Sequence, residues 1–101
     1  MGKADPKTAT ITLEEPIVRG DKEIGEIALR RPDAGALRGL SLMDLVRMDN
    51  DAVASVLPRI SSPPLIDAEV AQLSPADRFA CAVEIASFFM KRADLEESRP
   101  A

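Results

Sequence analysis

Residues 19–45, RGDKEIGEIALRRPDAGALRGLSLMDL, change their hydrophobic period within a few positions, and this change decides the fold. Before Arg31 the apolar residues alternate with polar ones, as in a β-strand, whereas after Pro32 they recur at helical spacing. Pro32 marks the boundary because proline cannot donate a hydrogen bond to a sheet and restricts the backbone of the residue before it. The stretch therefore predicts a strand followed by helices.

A second strand precedes this stretch. Residues 8–14 (TATITLE) alternate and are rich in β-branched side chains, and Pro16 marks an edge or a bulge beyond them. Gly20 tolerates the positive φ of a turn, so residues 24–30 are expected to pair with the first strand as a β-hairpin. Two strands alone are barely stable and leave two open edges. The hairpin must therefore pack on helices, pair with another chain, or both.

Helices are expected throughout the rest of the chain. Asp33 can cap a helix over residues 34–40, which Gly39 loosens before Ser41 restarts it. The strongest helix start is Ser74, with proline next and Asp77 completing a capping box. Residues 61–64 (SSPP) predict a loop. The expected helical segments are 34–40 with 41–48, then 51–57, 68–73 and 75–91.

These elements predict one small α+β domain, an N-terminal β-hairpin followed by about four helices, the last (about 75–91) the longest and most apolar. The 101-residue chain divides into a flexible N-terminal tail (1–8), a domain over 9–92 and a flexible C-terminal tail (93–101). Within the domain, the hairpin occupies 9–31 and the helical part 33–92.

The composition argues against several functional classes. Histidine is absent, which removes the commonest catalytic base and metal ligand, and the formal net charge of −4 disfavours nucleic-acid binding. The lone Cys81 lies in an apolar run, which favours an inert core thiol. Residues 79–90 form the longest apolar run and are too short to cross a bilayer. We predict no enzyme activity, no catalytic residue, no metal, no cofactor and no membrane association.

The last helix has more apolar surface than one buried face requires. Such a helix is either central in its domain or shared with a partner, and the sequence leaves both readings open. Residues 34–48 carry a second apolar stripe. The candidate partner-binding residues are Phe79, Val83, Ile85, Phe88, Phe89 and Met90 in the last helix, and Leu37, Leu40, Leu45 and Val46 in the stripe.

The ordered series of short motifs across residues 10–90 resembles the tail assembly chaperone family of Mu-like and related contractile-tail phages. Among its pieces are LRGL at 37–40, LPRI at 57–60, PPL at 63–65 and LSPAD at 73–77. The residues that carry the family pattern are Pro16, Arg19, Gly20, Leu29, Arg30, Pro32, Gly35, Leu37, Arg38, Gly39, Leu40, Asp44, Ser74 and Pro75.

The resemblance implies a non-enzymatic protein that acts during virion morphogenesis in the cytoplasm of an infected or lysogenic bacterial host and is absent from the mature virion. Its implied client is the apolar, helical tape measure protein, with tail tube subunits as a second partner to be recruited. Self-association into a homo-oligomer stays open. Two other readings remain: a self-associating structural or adaptor subunit of a phage tail, and an antitoxin-like regulator.

Overall fold

The computed structural model describes residues 8–90 and confirms the α+β class. The predicted N-terminal tail (apart from Thr8), residues 91–92 of the predicted helical part and the predicted C-terminal tail lie outside the described residues. The elements in chain order are β1 (Thr8–Arg19), β2 (Lys22–Arg30), α1 (Leu42–Val46), α2 (Asn50–Ile60), β3 (Ser61–Ser62), α3 (Asp67–Val70) and α4 (Pro75–Ser87).

The predicted hairpin is confirmed. Strands β1 and β2 pair antiparallel from Thr8 opposite Arg30 to Arg19 opposite Lys22. The turn places Gly20 at a φ of 60°, a left-handed conformation that glycine adopts without steric cost. The pairing register shifts between Thr12 and Ile17, the segment that contains Pro16. Both strands contact helices, β1 with α3 and α4 and β2 with α2.

A third strand stands where the sequence predicted only a loop. Ser61 and Ser62 pair antiparallel with Leu29 and Ala28, which makes the sheet order β1-β2-β3. The buried Ser61 hydroxyl also accepts a hydrogen bond from the Leu65 amide at 3.0 Å. A two-residue strand has no periodicity that a sequence pattern could reveal.

The helix predicted over residues 34–40 is wrong, because residues 34–39 form consecutive turns. Asp33 does cap the segment, its carboxylate accepting from the Ala36 amide at 2.9 Å. The Arg59 guanidinium then donates to the carbonyls of Ala36 and Arg38, both at 2.8 Å. A side chain of α2 thus satisfies the carbonyls that backbone amides would satisfy if this segment were a helix. Gly39 ends the turns at a φ of 80°.

The other helices exist with shifted ends. Helix α2 begins after Asp49, whose carboxylate accepts from the Ala52 amide at 3.0 Å, so the helix starts at Asn50, one residue before the predicted start. It also continues past Pro58 to Ile60, since a proline near the end of a helix removes only one hydrogen bond. Helix α1 spans five residues and α4 thirteen, which makes α4 the longest of the four described helices.

The core lies between one face of the sheet and the helices. Alternation along the strands supplies its sheet side, and single apolar stripes of α1, α2 and α4 supply its helical side. The largest fully buried side chains are Ile17, Ile27, Leu29, Leu45, Val53, Val56, Leu57, Ile60, Cys81 and Ile85.

Arg19, expected to be a family-pattern residue, ties the hairpin to α3. Its Nε and Nη2 atoms donate to the two carboxylate oxygens of Glu69, each at 2.7 Å, and Nη2 also donates to the Pro64 carbonyl at 2.9 Å. Glu69 is itself buried and accepts from the Ile66 amide at 3.1 Å. The bidentate bond to Arg19, together with this amide, lowers the pKa of Glu69 to about 2 against a desolvation that opposes it.

This pKa predicts an acid-sensitive contribution to stability. Because the pKa of Glu69 is depressed in the folded state, its stabilising effect is complete above the ordinary value of 4.5 and is lost as pH falls towards about 2. Glu69→Gln should therefore lower the melting temperature at neutral pH and have a progressively smaller effect in acid. Thermal unfolding followed by circular dichroism from about pH 7 to about pH 2 measures the difference. The exposed Glu23→Gln is the control, and a Glu69→Gln effect independent of pH would contradict the prediction.

Candidate functional site

Helix α4 divides its apolar residues between two faces. Cys81, Ala82 and Ile85 point into the core. On the other side, Phe79 is 60% and Val83 41% exposed. The outward line continues beyond the helix to Met90, 44% exposed. The surplus apolar surface indicated by the sequence is therefore real, and it is concentrated on one side.

Helix α1 adds a second exposed apolar surface beside α4. Its Ser41 cap accepts from the Asp44 amide at 3.2 Å, and only Leu45 of its five residues is buried. The turn that follows carries Met48 in a left-handed conformation, with φ at 62°. A non-glycine residue rarely adopts this conformation. The exposed large apolar residues of α1 and its turn are Leu42, Met43, Val46 and Met48.

Two clefts run between these surfaces and have Met48 in common. One, of about 380 Å³, lies between the turn after α1 and the start of α4 and includes Phe79. The other, of about 390 Å³, lies between Val46 and the last part of α4 and includes Val83, Phe89 and Met90. Because they share Met48, they form one surface, the α1/α4 groove, whose large apolar lining residues are Val46, Met48, Phe79, Val83, Phe89 and Met90. Arg47, Asn50 and Arg78 also line its Phe79 end. Its ends, Phe79 and Met90, are eleven positions apart, which corresponds to about 16 Å or three turns at the rise of a helix.

The position of α4 is set by its first turn. The Ser74 hydroxyl accepts from the Asp77 amide at 3.1 Å, which is the predicted cap. The Asp77 carboxylate does not complete the predicted capping box; its two oxygens accept from the amides of Glu14 and Glu15 at 2.7 and 3.0 Å. Burial disfavours the charge of Asp77, but the two amides and the Ser74 hydroxyl outweigh it, and the pKa of Asp77 lies below its ordinary value.

The outer edge of β1 is engaged by side chains in its second half. Beside the two amides bound by Asp77, the Gln72 side chain accepts from the Val18 amide at 3.0 Å and donates to the Val18 carbonyl at 3.4 Å. The Gln72 amide thus takes the place of a neighbouring strand. The sequence left strand pairing with another chain open, and these contacts close this part of the hairpin to it.

The ten candidate partner-binding residues fall into three groups. Phe79, Val83, Phe89, Met90 and Val46 line the α1/α4 groove. Leu37, Leu40 and Phe88 are half-buried and pack against the core. Leu45 and Ile85 have no exposed surface, so the structure assigns them to the core and corrects their place among the contact residues.

Sequence reasoning did not include Leu42, Met43 or Met48 among the candidate contact residues. Leu42, Met43 and Val46 follow helical spacing, so the pattern could have indicated a second apolar face on α1. Met48 carries no such signal because it lies beyond the helix. Its place between the two clefts follows from the left-handed turn.

Most of the family-pattern residues stabilise the fold through hydrogen bonds, helix caps, turns or core packing. Arg30 donates from Nη2 to the Arg59 carbonyl at 2.8 Å, and Asp44 receives the cap of α1 through its amide. Pro75 occupies the first position of α4. Leu29 is a core residue, and Gly20 and Gly39 have positive φ. The pattern therefore marks the scaffold more than the groove.

Cys81 is fully buried, and desolvation raises the pKa of its thiol to about 11, which disfavours the nucleophilic thiolate. Within residues 8–90 no three Cys, Asp or Glu side chains are grouped as metal ligands. The helices in this range are also too short and too polar to span a bilayer. The α1/α4 groove is the exposed apolar surface feature that calls for an explanation.

Comparison with known proteins places the chain among phage assembly factors. Residues 10–90 match the family described as "Phage tail assembly chaperone proteins, E, or 41 or 14". Tail assembly protein E of Escherichia phage P2 is 40% identical over 82 residues, covering 81% of this chain and 90% of that protein. Tail assembly protein E′ of the same phage is 39% identical over 84 residues, covering 83% of this chain and only 59% of that longer protein. No solved structure matches the chain significantly.

Proposed function

The chain belongs to the phage tail assembly chaperone family, and we propose that it binds an apolar helical segment of the tape measure protein in the α1/α4 groove. The observation that carries this proposal is the contiguous exposed apolar surface on α4 and α1. Small monomeric proteins rarely leave such a surface in water unless it binds something.

The shape of the groove supports a helical client. An amphipathic helix places side chains i, i+4 and i+7 along one face, and a groove three turns long accommodates such a row. Phe79 and Met90 mark its two ends, and Val83 lies between them. Methionines suit this role because their flexible side chains adapt to different client sequences.

The energetic reason for a chaperone lies in the client. A long apolar helix exposed to water forgoes about 1.5–3 kcal/mol for each large side chain that stays unburied, which favours aggregation. Covering that stripe with the α1/α4 groove keeps the client soluble until tail assembly uses it. Binding also removes the exposed Phe79, Val83 and Met90 side chains from water, so the burial of apolar surface on both proteins favours the complex.

The same proposal extends to the place and manner of action. The protein acts in the host cell while the tail is built, helps to bring tail tube subunits to the client, and leaves before the particle is complete. It acts by binding and not by catalysis. Purified virions should therefore lack it, whereas a structural or adaptor subunit would persist in the particle.

Co-expression with the tape measure protein tests the groove. Phe79→Asp combined with Val83→Asp should reduce the soluble fraction of the client to the level seen without chaperone, because two carboxylates replace apolar contacts. Both side chains are exposed, so the variant should keep its cooperative unfolding transition.

Val18→Asp is the matched control, since Val18 is an equally exposed apolar residue on β1, away from the groove. It should solubilise the client as the wild type does. Loss of client solubility with both variants would point to non-specific apolar contacts. A folded Phe79→Asp/Val83→Asp variant that retains full activity would refute the groove.

Phe79 and Val83 are chosen for substitution because they lie on the exposed side of α4. Substituting Phe88 and Phe89 would confuse binding with folding, because both pack partly against the core. Phe79 and Val83 separate the two effects.

A further inference from the structure

The outer edge of β1 is open over its first half, residues 8–12. The Glu14 amide points away from β2, because it donates to the Asp77 carboxylate. Amides on one side of a strand recur at every second residue, so those of the three threonines in this segment point outward as well. In the part of the chain that the structure describes, no hydrogen bond from outside the β1–β2 pairing reaches the backbone of residues 8–12. This half of the edge therefore offers its hydrogen-bonding groups to another strand.

The other parts of the sheet edge are protected against strand pairing. The side chains of Asp77 and Gln72 occupy the second half of β1. The far edge of β2 is covered in part by β3, and the strand carries Glu23 and Glu26 beyond it. Charged residues and covering elements are the usual means by which proteins block an edge. Residues 8–12 (TATIT) contain neither a charge nor a proline, and four of the five are β-branched, which favours pairing.

We propose that β1 pairs antiparallel with β1 of a second copy, with a two-fold axis at Thr10, so that two three-stranded sheets join into one of six strands. In this register Thr8 faces Thr12 of the second copy, and Thr10 faces its own counterpart. The three threonine pairs exchange about six backbone hydrogen bonds through their outward amides and carbonyls. The contact is isologous, because each copy contributes the same residues.

The sequence of the open edge identifies a second copy as the partner, because TATIT matches itself when it is reversed about Thr10. Cross-strand threonine pairs are favourable, and Thr10 and Thr12 are exposed on the solvent side of the sheet. On the helical side, the half-buried Ala9 faces Ile11 of the second copy, which places a small side chain beside a large one. No like charges oppose each other within the five paired positions.

Asp77 fixes the register of this pairing. Moving the axis to Ile11 would place Thr8 opposite Glu14, whose amide is already bound to Asp77 at 2.7 Å. Moving the axis to Ala9 would pair only two of the three threonines. A contact of five residues per copy is smaller than a standard interface of about 20–30 residues per partner, so the dimer forms reversibly with increasing protein concentration. It uses a different surface from the α1/α4 groove and does not depend on the client.

Sedimentation equilibrium of the full chain tests the open edge. Thr10→Pro removes the outward amide donor at the axis and places a proline ring on the edge, so dimerisation should weaken at least about tenfold. Thr10→Val is the matched control, because it keeps the amide and the β-branched shape, and it should dimerise like the wild type. Circular dichroism shows whether each variant keeps its fold.

Single cysteines test the register without a proline. In the proposed pair the Cα atoms of the two Thr10 residues lie about 5.5 Å apart, within the range of a disulfide, so Thr10→Cys should form a cross-linked dimer on mild oxidation. Thr12→Cys is the matched control, because the two Thr12 residues would be about 14 Å apart, and it should not cross-link. Cys81 has no exposed surface and does not compete.

Several results would overturn the β1 contact. One is wild-type protein that stays monomeric at about 1 mM. Others are a folded Thr10→Pro variant that dimerises like the wild type, and cross-linking of Thr12→Cys as efficient as that of Thr10→Cys. A dimer that persists in Thr10→Pro but is lost in Phe79→Asp/Val83→Asp would assign self-association to the α1/α4 groove and also overturn the proposal. We expect the groove variant to dimerise as the wild type does, whatever its effect on the client.

Discussion

Asp77→Ala is expected to lower the free energy of unfolding by about 2–4 kcal/mol, since it leaves the strand amides of two residues without their acceptor. The carboxylate of Asp77 is 3% exposed and is the direct link between α4 and β1, through Glu14 and Glu15. A small domain has only about 5–15 kcal/mol of stability in total. The loss should therefore be visible as a large shift of the denaturation midpoint.

Chemical denaturation followed by circular dichroism measures this effect. Asp51→Ala is the matched control, because Asp51 also lies in the first turn of a helix but is exposed. It should change the free energy of unfolding by less than about 1 kcal/mol. Equal losses in the two variants would mean that Asp77 acts only on the helix dipole and not through β1.

Ile85→Ala is expected to lower the free energy of unfolding by about 2–5 kcal/mol, because it removes a fully buried side chain and leaves a cavity. Val83→Ala, two residues away on the same helix, should change it by no more than about 0.5 kcal/mol. Val83 is 41% exposed and faces the α1/α4 groove.

The pair therefore tests which face of α4 belongs to the core. Denaturant midpoints and m-values of both variants provide the measurement, and unchanged m-values show that the unfolding reaction is the same. Similar losses for Ile85→Ala and Val83→Ala would contradict the division of α4 into a core face and a groove face. The division also explains why only one of the two residues is a contact for the proposed client.

The hairpin and the start of α4 were predictable because their signals are local. Alternating residues indicated the two strands, Gly20 indicated the turn, and Ser74 with Pro75 indicated the start of the helix. Each signal acts over a few residues, through backbone conformation or a cap hydrogen bond. The tertiary packing is compatible with these local preferences, so the predicted elements form.

The turns over residues 34–39 were not predictable in the same way. Their local pattern indicates a helix, but Arg59 binds the carbonyls of Ala36 and Arg38 from 23 and 21 residues away. The role of Asp77 was misjudged for the same reason, since Glu14 lies 63 residues from it. The carboxylate of a capping box can accept instead from any other donor that the fold brings near. In this structure the Asp77 carboxylate accepts from two strand amides.

The candidate site was also predicted only in part, because local sequence patterns do not reveal long-range contacts. Sequence reasoning found the excess of apolar residues on α4 and named Phe79, Val83 and Met90, which line the α1/α4 groove. It also named Ile85 and Leu45, which are core residues. The apolar arc of α4 is wider than one packing face, and periodicity alone does not say which part faces the core.

By itself, the sequence determined the β-hairpin, the end of its second strand before Pro32, the start of α4 after Ser74, and the resemblance to the family to which the chain belongs. These properties depend on local backbone preferences and on an ordered series of short motifs. Only the tertiary structure decided which side of α4 is exposed. That choice depends on the long-range hydrogen bonds of Asp77, which orient α4 against β1, and on Leu45, which packs α1 beside it.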